Sequence, residues 1–253
     1  MLAIIGGSGL TRLSTLAVAH REVVRTPYGE PSSALVFGQI AERDVVFIAR
    51  HGHGHTIPPH RVNYRANLWA LKNRGASALL AVASVGGIRA GAPGDLVLPH
   101  QLIDYTHNRE STYFDGGDHR VVHVDFTHPY MPALREKCLA AARSAGIALA
   151  DGGVYGAVSG PRLETAAEID RMDRDGATLV GMTGMPEAAL ARELSLPYVA
   201  IAVIVNHAAG RGESSHHVSM EGIARVLETA MEKVRALLEH VTPLISDPPG
   251  ASP

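Results

Sequence analysis

Short apolar runs alternate along the chain with longer stretches in which apolar residues recur every three or four positions. The first pattern is typical of buried strands and the second of amphipathic helices. The predicted strands are 2–5, 34–40, 45–49, 78–84, 153–158, 179–182 and 198–205. The predicted helices are 63–74, 130–146, 164–174, 186–194 and 219–240. This β/α alternation predicts a single α/β domain with a mixed sheet flanked by helices.

The last apolar run, Tyr198–Val205, is followed directly by a carboxamide and an imidazole, Asn206 and His207. In open α/β sheets, ligands bind beyond the carboxyl ends of the strands, so Asn206 is predicted to face a binding site. An amide side chain both donates and accepts hydrogen bonds, which suits the amide-like edge of a 6-oxopurine. Asparagine is also common in turns, so this pattern alone leaves a simple turn role open.

Three other predicted strands end in segments that are able to bind an anion. Gly6–Gly9 contains Ser8, Ala83–Gly87 contains Ser84, and a third segment begins with Arg50, whose guanidinium can bind two oxygens of one anion. Neither the dinucleotide fingerprint nor the P-loop pattern is present, which disfavours NAD and ATP. A glycine turn, or an arginine paired with a surface carboxylate, would explain the same residues without a ligand.

Alternating histidines follow Arg50, and their pattern raises the possibility of a metal site. They are His51, His53 and His55, with His60 nearby. Histidine is a common zinc ligand, but no cysteine or carboxylate of convincing spacing completes the set. A metal-dependent hydrolase using the His51–His60 cluster is therefore kept as an alternative hypothesis.

The composition is that of an ordinary globular protein. The 253 residues are 46% hydrophobic and 19% charged, with a formal net charge of -2, and the basic residues are dispersed. These values favour small-molecule partners over nucleic acid or a membrane surface, and the absence of a long apolar stretch predicts a cytoplasmic location. The single cysteine, Cys138, cannot form an internal disulfide. A domain over 1–246 and a disordered tail over 247–253 are expected.

Several ordered motifs resemble those of the trimeric purine nucleoside phosphorylase superfamily, with most similarity to methylthioadenosine phosphorylases. They are Gly6–Leu10, Thr26–Gly29, Arg50–Gly52, Val62–Asn67, Gly160–Arg162 and Met182–Glu187. The resemblance extends from about residue 3 to 245. It implies one α/β domain around a mixed, partly barrel-like sheet, a homotrimer, and reversible attack of inorganic phosphate on a purine nucleoside. Phosphate is then a co-substrate, and no metal or organic cofactor is implied.

The resemblance also assigns residues to the two halves of such a site. Met182 is placed against the ribose, and His123 is expected to approach the nucleoside from a neighbouring subunit. The residues assigned to phosphate are Ser8, Arg50, His51, Ala83, Ser84 and Thr183.

The chain departs from methylthioadenosine phosphorylases after the last strand. Those enzymes carry an Asp-x-Asp pair that serves adenine, and the matching positions here are Asn206 and Ala208. The 6-oxopurine phosphorylases instead resemble this chain at Glu164 and Asn206. A carboxylate accepts from N1–H of hypoxanthine and an amide donates to O6 or N7, whereas adenine presents an N1 lone pair to the carboxylate. Glu164 and Asn206 are therefore the predicted catalytic pair. Since Glu164 lies in the first turn of a predicted helix, it also has a simpler interpretation as a carboxylate that complements the helix dipole.

A second departure concerns the 5′ end of the nucleoside. The 6-oxopurine enzymes place a histidine near the 5′-hydroxyl, and the corresponding position here is about Met220, with Ile223 one turn later and Val218 before it. An apolar pocket suits a methylthio group. The adjoining loop, 208–217, differs in length from the family, so one of its histidines, His216 or His217, is an alternative partner for a 5′-hydroxyl.

These assignments predict a purine-salvage glycosyltransferase that cleaves 5′-methylthioinosine to hypoxanthine and 5-methylthioribose 1-phosphate. Phosphorolysis of inosine or guanosine is the first alternative, and methylthioadenosine phosphorolysis is the second. A non-catalytic purine-binding protein remains a further alternative beside the metal-dependent hydrolase. The predicted nucleoside contacts are Met182, Glu164, Asn206, His207, Ala208, Val218, Met220, Ile223 and His123.

Overall fold

The computed structural model describes residues 1–116 and 120–245, and the predicted tail over 247–253 lies outside them. The described strands are β1 Leu2–Gly6, β2 Ala17–Glu22, β3 Leu35–Ile40, β4 Arg43–Ala49, β5 Ala78–Gly87, β6 Leu96–Leu98, β7 Gln101–Asp104, β8 Leu149–Asp151, β9 Val154–Ala157, β10 Leu179–Gly181 and β11 Tyr198–His207. The described helices are α1 Tyr64–Asn73, α2 Pro132–Ser144, α3 Ala166–Asp175, α4 Gly184–Glu193 and α5 Met220–Ile245, with short 3-10 turns at Pro59–Arg61 and Gly212–Ser214.

All of these strands belong to one mixed sheet that branches at β5. One path runs in the order β2-β3-β4-β1-β5-β10-β9-β7, and a second leaves β5 through β11 to β6 and β8. Strand β5 pairs in parallel with β1 through its first four residues and antiparallel with β10 through its last two. It also pairs in parallel with β11 from Leu79 to Gly87. The predicted α/β domain with a mixed sheet flanked by helices is confirmed.

The apolar runs that predicted the strands correspond to the most buried part of the core. Every residue of β1 is buried, and so are nine of the ten residues of β5 and eight of the ten residues of β11. Burial on both faces is expected for strands that are covered by helices on either side. The polar residues that follow these strands are therefore positioned by a closely packed scaffold.

Four strands were not predicted from the sequence. Strand β2 is exposed along almost its whole length and shows no buried alternation, and β6 and β8 have only three residues each. Strand β7 is only partly buried. Hydrophobic periodicity has little to detect in such elements, because β2, β7 and β8 bring few side chains into the core and the buried β6 is too short to show a period.

Helix α3 begins two residues later than predicted. Thr165 is its N-cap, accepting from the backbone N–H of Glu168, whose carboxylate accepts from the backbone N–H of Thr165 in return. This capping box satisfies two backbone donors of the first turn. Glu164 therefore lies just before the helix, and Glu168 supplies the carboxylate of the first turn.

Candidate active site

A cavity of about 420 Å³ opens where strands β1, β4, β5, β10 and β11 reach their ends. Its lining includes the six residues predicted to bind phosphate, which are Ser8, Arg50, His51, Ala83, Ser84 and Thr183. It also includes five of the predicted nucleoside contacts, which are Glu164, Met182, Asn206, Met220 and Ile223. Groups that are far apart in the sequence thus share one cavity.

The topology of the sheet explains why the anion candidates meet. Gly6 at the end of β1 is in register with Ala49 at the end of β4, and the backbone N–H of Arg50 donates to the carbonyl of Gly6 at 2.9 Å. The Ser84 hydroxyl donates to the carbonyl of Ser8 at 3.4 Å, which joins the ends of β1 and β5. The loops after β1 and β4 and the end of β5 therefore form one polar surface of the cavity.

Gly7 allows the loop after β1 to lie directly against the arginine. A Cβ atom at this position would lie 2.6 Å from the carbonyl oxygen of Val82 and 2.9 Å from Nη1 of Arg50. Both distances are shorter than any ordinary contact, so a side chain would displace the loop or the guanidinium. Glycine is required here by the close approach of the backbone.

Arg50 forms an ion pair with a buried carboxylate, Glu187, which the sequence analysis did not assign to the site. Its Nε and Nη2 donate to Glu187 of α4 at 2.7 and 2.9 Å, and Nη1 donates to the carbonyl of Val82 at 2.9 Å. The Tyr198 hydroxyl donates to the same carboxylate at 2.9 Å. Arg50 and Glu187 are 1% and 0% exposed. Burial alone would lower the pKa of Arg50, but the adjacent Glu187 carboxylate raises it, so the guanidinium stays charged.

The ion pair with Glu187 limits how Arg50 can contact an anion. Glu187 occupies one edge of the guanidinium, where Nε and Nη2 donate to its two oxygens. A guanidinium has five N–H donors, and the three bonds to Glu187 and Val82 leave two. An anion in the cavity would therefore be contacted by the remaining N–H groups, with the arginine fixed in orientation by Glu187.

His51 is a neutral imidazole with one nitrogen engaged by the backbone. Its Nδ1 lies 2.8 Å from the carbonyl oxygen of Ile57, which only accepts, so Nδ1 carries the proton. Burial, together with the nearby Arg50 cation, lowers the pKa of His51 to about 4. Its Nε2 is therefore left as an acceptor near neutral pH.

His55 was considered only as a metal ligand from the sequence, yet it lines the cavity beside the anion candidates. Its ring centroid lies 4.6 Å from that of His51, and its Nε2 lies 3.5 Å from Oγ of Ser8. Its backbone φ of 52° is in the left-handed region, which is unusual for a residue other than glycine. The chain thus turns sharply at His55 and directs the imidazole towards the loop after β1.

The two residues predicted to recognise the base, Asn206 and Glu164, come from the end of β11 and from the segment before α3. A bulge between Ile204 and Asn206 shifts the register of β11 against β5, and bulges of this kind redirect the side chains that follow. The Asn206 amide donates to the carbonyl of His207 at 2.6 Å. Glu164 is half-buried, and its pKa is raised by burial, with Glu168 adding to the effect.

The loop between β10 and α4 also contributes to the lining of the cavity, through Met182 and Thr183. Met182 approaches the backbone of Gly160 so closely that a Cβ there would lie 2.4 Å from its sulfur, and Gly160 has a φ of +59°. Thr183 is buried, and its backbone N–H donates to the hydroxyl of Tyr155 at 3.4 Å. Met220, which also lines the cavity, is the first residue of α5 and is 66% exposed.

Four predicted nucleoside contacts lie outside the lining of this cavity. His207 lines a neighbouring cavity of about 230 Å³, with one ring nitrogen buried and unpartnered among the described residues. Ala208 packs instead in a small apolar cluster with Ile88, because β11 continues through His207 before the chain turns. Val218 is half-buried and His123 is exposed, and neither lines the cavity.

The described residues also bear on whether the chain has a metal site or a membrane-spanning helix. Within residues 1–116 and 120–245, no three histidine, cysteine, aspartate or glutamate side chains are grouped so as to hold a metal ion. Over the same residues, no helix is both long and apolar enough to cross a membrane.

Comparison with known proteins places this geometry in context. The family model described as the phosphorylase superfamily matches residues 1–243. A protein of Pseudomonas syringae pv. tomato named "Probable S-methyl-5'-thioinosine phosphorylase" is 52% identical over 240 residues, covering 94% of this chain and 97% of the relative. A protein of the same name from Xanthomonas campestris pv. campestris is 51% identical over 226 residues, covering 89% and 90%.

Solved structures share the fold as well. The structure of methylthioadenosine phosphorylase from Schistosoma mansoni in complex with adenine matches with a TM-score of 0.92 and 32% identity. The match covers 96% of this chain and 91% of the other. A protein that binds adenine thus has the same architecture, so the choice of base depends on the side chains around the cavity.

Proposed function

Because the chain belongs to the phosphorylase superfamily, we propose that it cleaves 5′-methylthioinosine with inorganic phosphate. The products are hypoxanthine and 5-methylthioribose 1-phosphate, and the enzyme is a pentosyltransferase of the purine nucleoside phosphorylase type. One observation carries the proposal. Glu164 and Asn206, which suit a 6-oxopurine, share a cavity with the apolar side chains of Met220 and Ile223 and with the anion candidates.

Inorganic phosphate is the co-substrate and occupies the side of the cavity that holds Ser8, Arg50, Ser84 and Thr183. The fixed Arg50 supplies positive charge, and the hydroxyls and nearby backbone N–H groups supply neutral donors. The neutral His51 offers an acceptor to a P–OH group. No metal or organic cofactor takes part in the reaction.

The base is recognised at the opposite side. The Glu164 carboxylate accepts from N1–H of hypoxanthine, and Asn206 donates to O6 or accepts from a protonated N7. Adenine would turn a lone pair towards Glu164 in place of a donor, and its amino group would meet the amide in place of a carbonyl. Sites built on such polar pairing discriminate strongly, because the wrong base leaves buried polar groups unpaired.

The chemical step forms a bond from a phosphate oxygen to C1′ of the ribose and breaks the bond from C1′ to N9 of the purine. Binding both substrates in one cavity replaces a bimolecular encounter by a positioned one. Positive charge that develops on the ribose is stabilised by the adjacent phosphate, and negative charge that develops on the purine is stabilised by donors at its edge. The departing base takes up a proton, and the methylthioribose keeps the phosphate.

The 5′ substituent lies towards Met220 and Ile223 at the start of α5. A thioether gains little from water and is favoured by contact with apolar side chains. Met220 is 66% exposed, however, so this wall is open in the isolated chain. That observation favours inosine or guanosine as the second candidate substrate, since an open wall also leaves room for a hydrated 5′-hydroxyl.

We further propose that the enzyme is a homotrimer in which a neighbouring subunit closes this wall. His123 is exposed and lies outside the lining of the cavity in its own chain, beside the exposed Val121, Val122 and Val124. An exposed apolar segment of this kind is suited to an interface between subunits. Light scattering is expected to give three times the mass of the chain, and a fully active monomer would contradict this part of the proposal.

The test of the reaction is a comparison of kcat/KM for methylthioinosine, methylthioadenosine, inosine and adenosine, with and without phosphate. Phosphate-dependent release of hypoxanthine, fastest from methylthioinosine, is expected. A preference for methylthioadenosine would refute the assignment of Glu164 and Asn206, and a preference for inosine would refute that of Met220. Turnover that needs no phosphate and stops with a chelator would instead support the metal-dependent hydrolase.

A further inference from the structure

Arg109 lies outside the cavity, in the segment after β7, and joins two of the loops that form the cavity. Its Nη1 donates to the carbonyl of Met182 at 2.9 Å and also to the carbonyl of Met185. Its Nη2 donates to the carbonyls of Ser159 and Val158 at 2.8 and 3.4 Å. One guanidinium therefore binds four backbone carbonyls that belong to two separate loops.

Each of these loops contributes a different half of the cavity. The loop from 158 to 164 carries Pro161, Leu163 and Glu164 into the lining. The second, from 182 into the non-helical start of α4 at Met185, carries Met182 and Thr183. The distance from Glu164 to Met182 and Thr183 thus depends on how the two loops are held together.

The arginine is itself fixed in orientation by an aromatic ring. Its guanidinium carbon lies 5.4 Å from the centroid of the Tyr64 ring, which is buried and whose hydroxyl donates to the carbonyl of Pro59 at 3.0 Å. Nε of Arg109 is buried and unpartnered among the described residues. The side chain thus leaves its Nε donor without an acceptor, whereas Nη1 donates to one loop and Nη2 donates to the other. A planar cation with donors at two ends can do this, and the single ammonium of a lysine cannot.

We propose that Arg109 is a positioning residue, which sets Glu164 relative to Met182 and Thr183 for the reaction. This inference rests on the proposed function, since it assigns those three residues to the base, the ribose and phosphate. Arg109 touches none of the reacting atoms and acts through the backbone of the two loops. Misplacement of bound groups by about 1 Å can lower turnover by about 10²-fold, so a loss of this size is expected when the link is removed.

Arg65 provides a matched control, since it also stacks on a tyrosine. Its guanidinium also lies over a tyrosine, 5.3 Å from the ring centroid of Tyr28, and its side chain is 17% exposed. It binds Glu110 and Asp115 and donates to the carbonyl of Thr112. It is not part of the cavity lining, so its replacement removes a comparable stacked arginine without separating the two loops.

The kinetic experiment compares Arg109→Lys, Arg109→Ala and Arg65→Ala with the wild type, using the purine nucleoside that the wild type cleaves best. Arg109→Ala is expected to lose about 10²-fold in kcat/KM, with kcat as well as KM affected, and to regain at least about tenfold when guanidinium ion is added. Arg109→Lys should stay folded and recover little, and Arg65→Ala should retain activity. Wild-type kcat/KM in both Arg109 variants would overturn the proposal, as would losses that guanidinium fails to restore in a folded protein.

A second measurement does not depend on turnover. Hydrogen exchange followed by mass spectrometry should show faster exchange in both segments, 158–164 and 182–186, for Arg109→Lys, and in neither for Arg65→Ala. Unchanged exchange in Arg109→Lys would refute the link itself. Faster exchange in Arg109→Lys, together with a wild type that cleaves no nucleoside with phosphate, would uphold the link and refute the proposed function, so the two failures are distinguishable.

Discussion

Glu187 and Arg50 form a bidentate ion pair in the interior, with N–O distances of 2.7 and 2.9 Å, directly behind the anion side of the cavity. The pair connects the end of β4 to α4, and Tyr198 of β11 donates to the same carboxylate. Removing one partner of a buried pair leaves an uncompensated charge in a medium of low polarity. The position of Arg50 is therefore inseparable from the stability of the fold around it.

Glu187→Gln should lower the free energy of unfolding by about 3–5 kcal/mol, because Arg50 would keep its charge without a counter-ion. Urea denaturation of the phosphate-free protein measures this loss. Glu22→Gln is the control, since Glu22 makes a similar bidentate contact with Arg74 that is open to solvent. A loss for Glu187→Gln no larger than that for Glu22→Gln would show that the buried charge is balanced in another way.

The depressed pKa of His51 predicts a dependence of stability on pH. In the unfolded chain this imidazole is protonated below its ordinary pKa of 6.5, whereas in the folded chain the lowered pKa keeps it neutral down to about 4. The unfolded state thus binds more protons in this window, so stability falls as pH falls from 6.5 towards 4. The contribution is on the order of 3 kcal/mol.

Unfolding free energies at pH 7 and pH 4.5, measured without phosphate for the wild type and His51→Gln, isolate this effect. The wild type should lose more stability between the two values than the variant. Acid titration of carboxylates acts on both proteins alike, so only the difference between them is informative. Equal losses would mean that His51 is not buried as a neutral imidazole.

Asn206→Asp tests the recognition of the base. A carboxylate at this position would repel O6 of hypoxanthine and accept from the adenine amino group, so 6-oxopurine turnover should fall and adenine nucleosides should gain relative to it. The ratio of kcat/KM for methylthioinosine and methylthioadenosine measures the change. Asn73→Asp, on the exposed end of α1, introduces the same charge away from the cavity. An unchanged ratio in Asn206→Asp would refute the assignment.

Met220→His tests the 5′ end of the cavity. An imidazole offers a hydrogen-bond partner to a 5′-hydroxyl and removes apolar contact, so preference should shift from methylthioinosine towards inosine. A hydrophobic contact of this size is worth about 1–3 kcal/mol, or roughly 10-fold to 200-fold in the ratio of kcat/KM. Glu221→His is the control, because its side chain follows on the same helix but does not line the cavity. If both variants leave the ratio as it was, Met220 does not contact the 5′ substituent.

The sequence predicted those parts of the site in which a buried strand ends on a polar residue. Ser8, Arg50, Ser84 and Asn206 all follow or end apolar runs, and they share one cavity because the ends of their strands are neighbours in the sheet. The partner of Arg50 was not predicted, since a buried glutamate 137 residues away has no local signal.

The details around the end of β11 were also beyond a reading of the sequence. The bulge before Asn206 and the continuation of the strand through His207 depend on pairing with β5, which is a tertiary contact. They direct Ala208 towards an apolar cluster, whereas the sequence motif predicted that it contacts the nucleoside. Links such as Arg109 are invisible for the same reason, because backbone carbonyls accept its hydrogen bonds and the residue types they belong to leave no pattern.

The branching of the sheet at β5 has a consequence for the order in which the chain can fold. Strands β1, β4 and β5 all lie between Leu2 and Gly87, whereas Leu79 of β5 pairs with Tyr198, about 120 residues later. Contacts of such long separation form slowly, because closing the intervening chain costs entropy before any pairing is gained. During synthesis strands β1, β4 and β5 can pair early, but Arg50 gains its partner Glu187 only when α4 emerges, and one apolar edge of β5 stays uncovered until β11 follows. That edge is the surface that a chaperone would be expected to protect while the chain is incomplete.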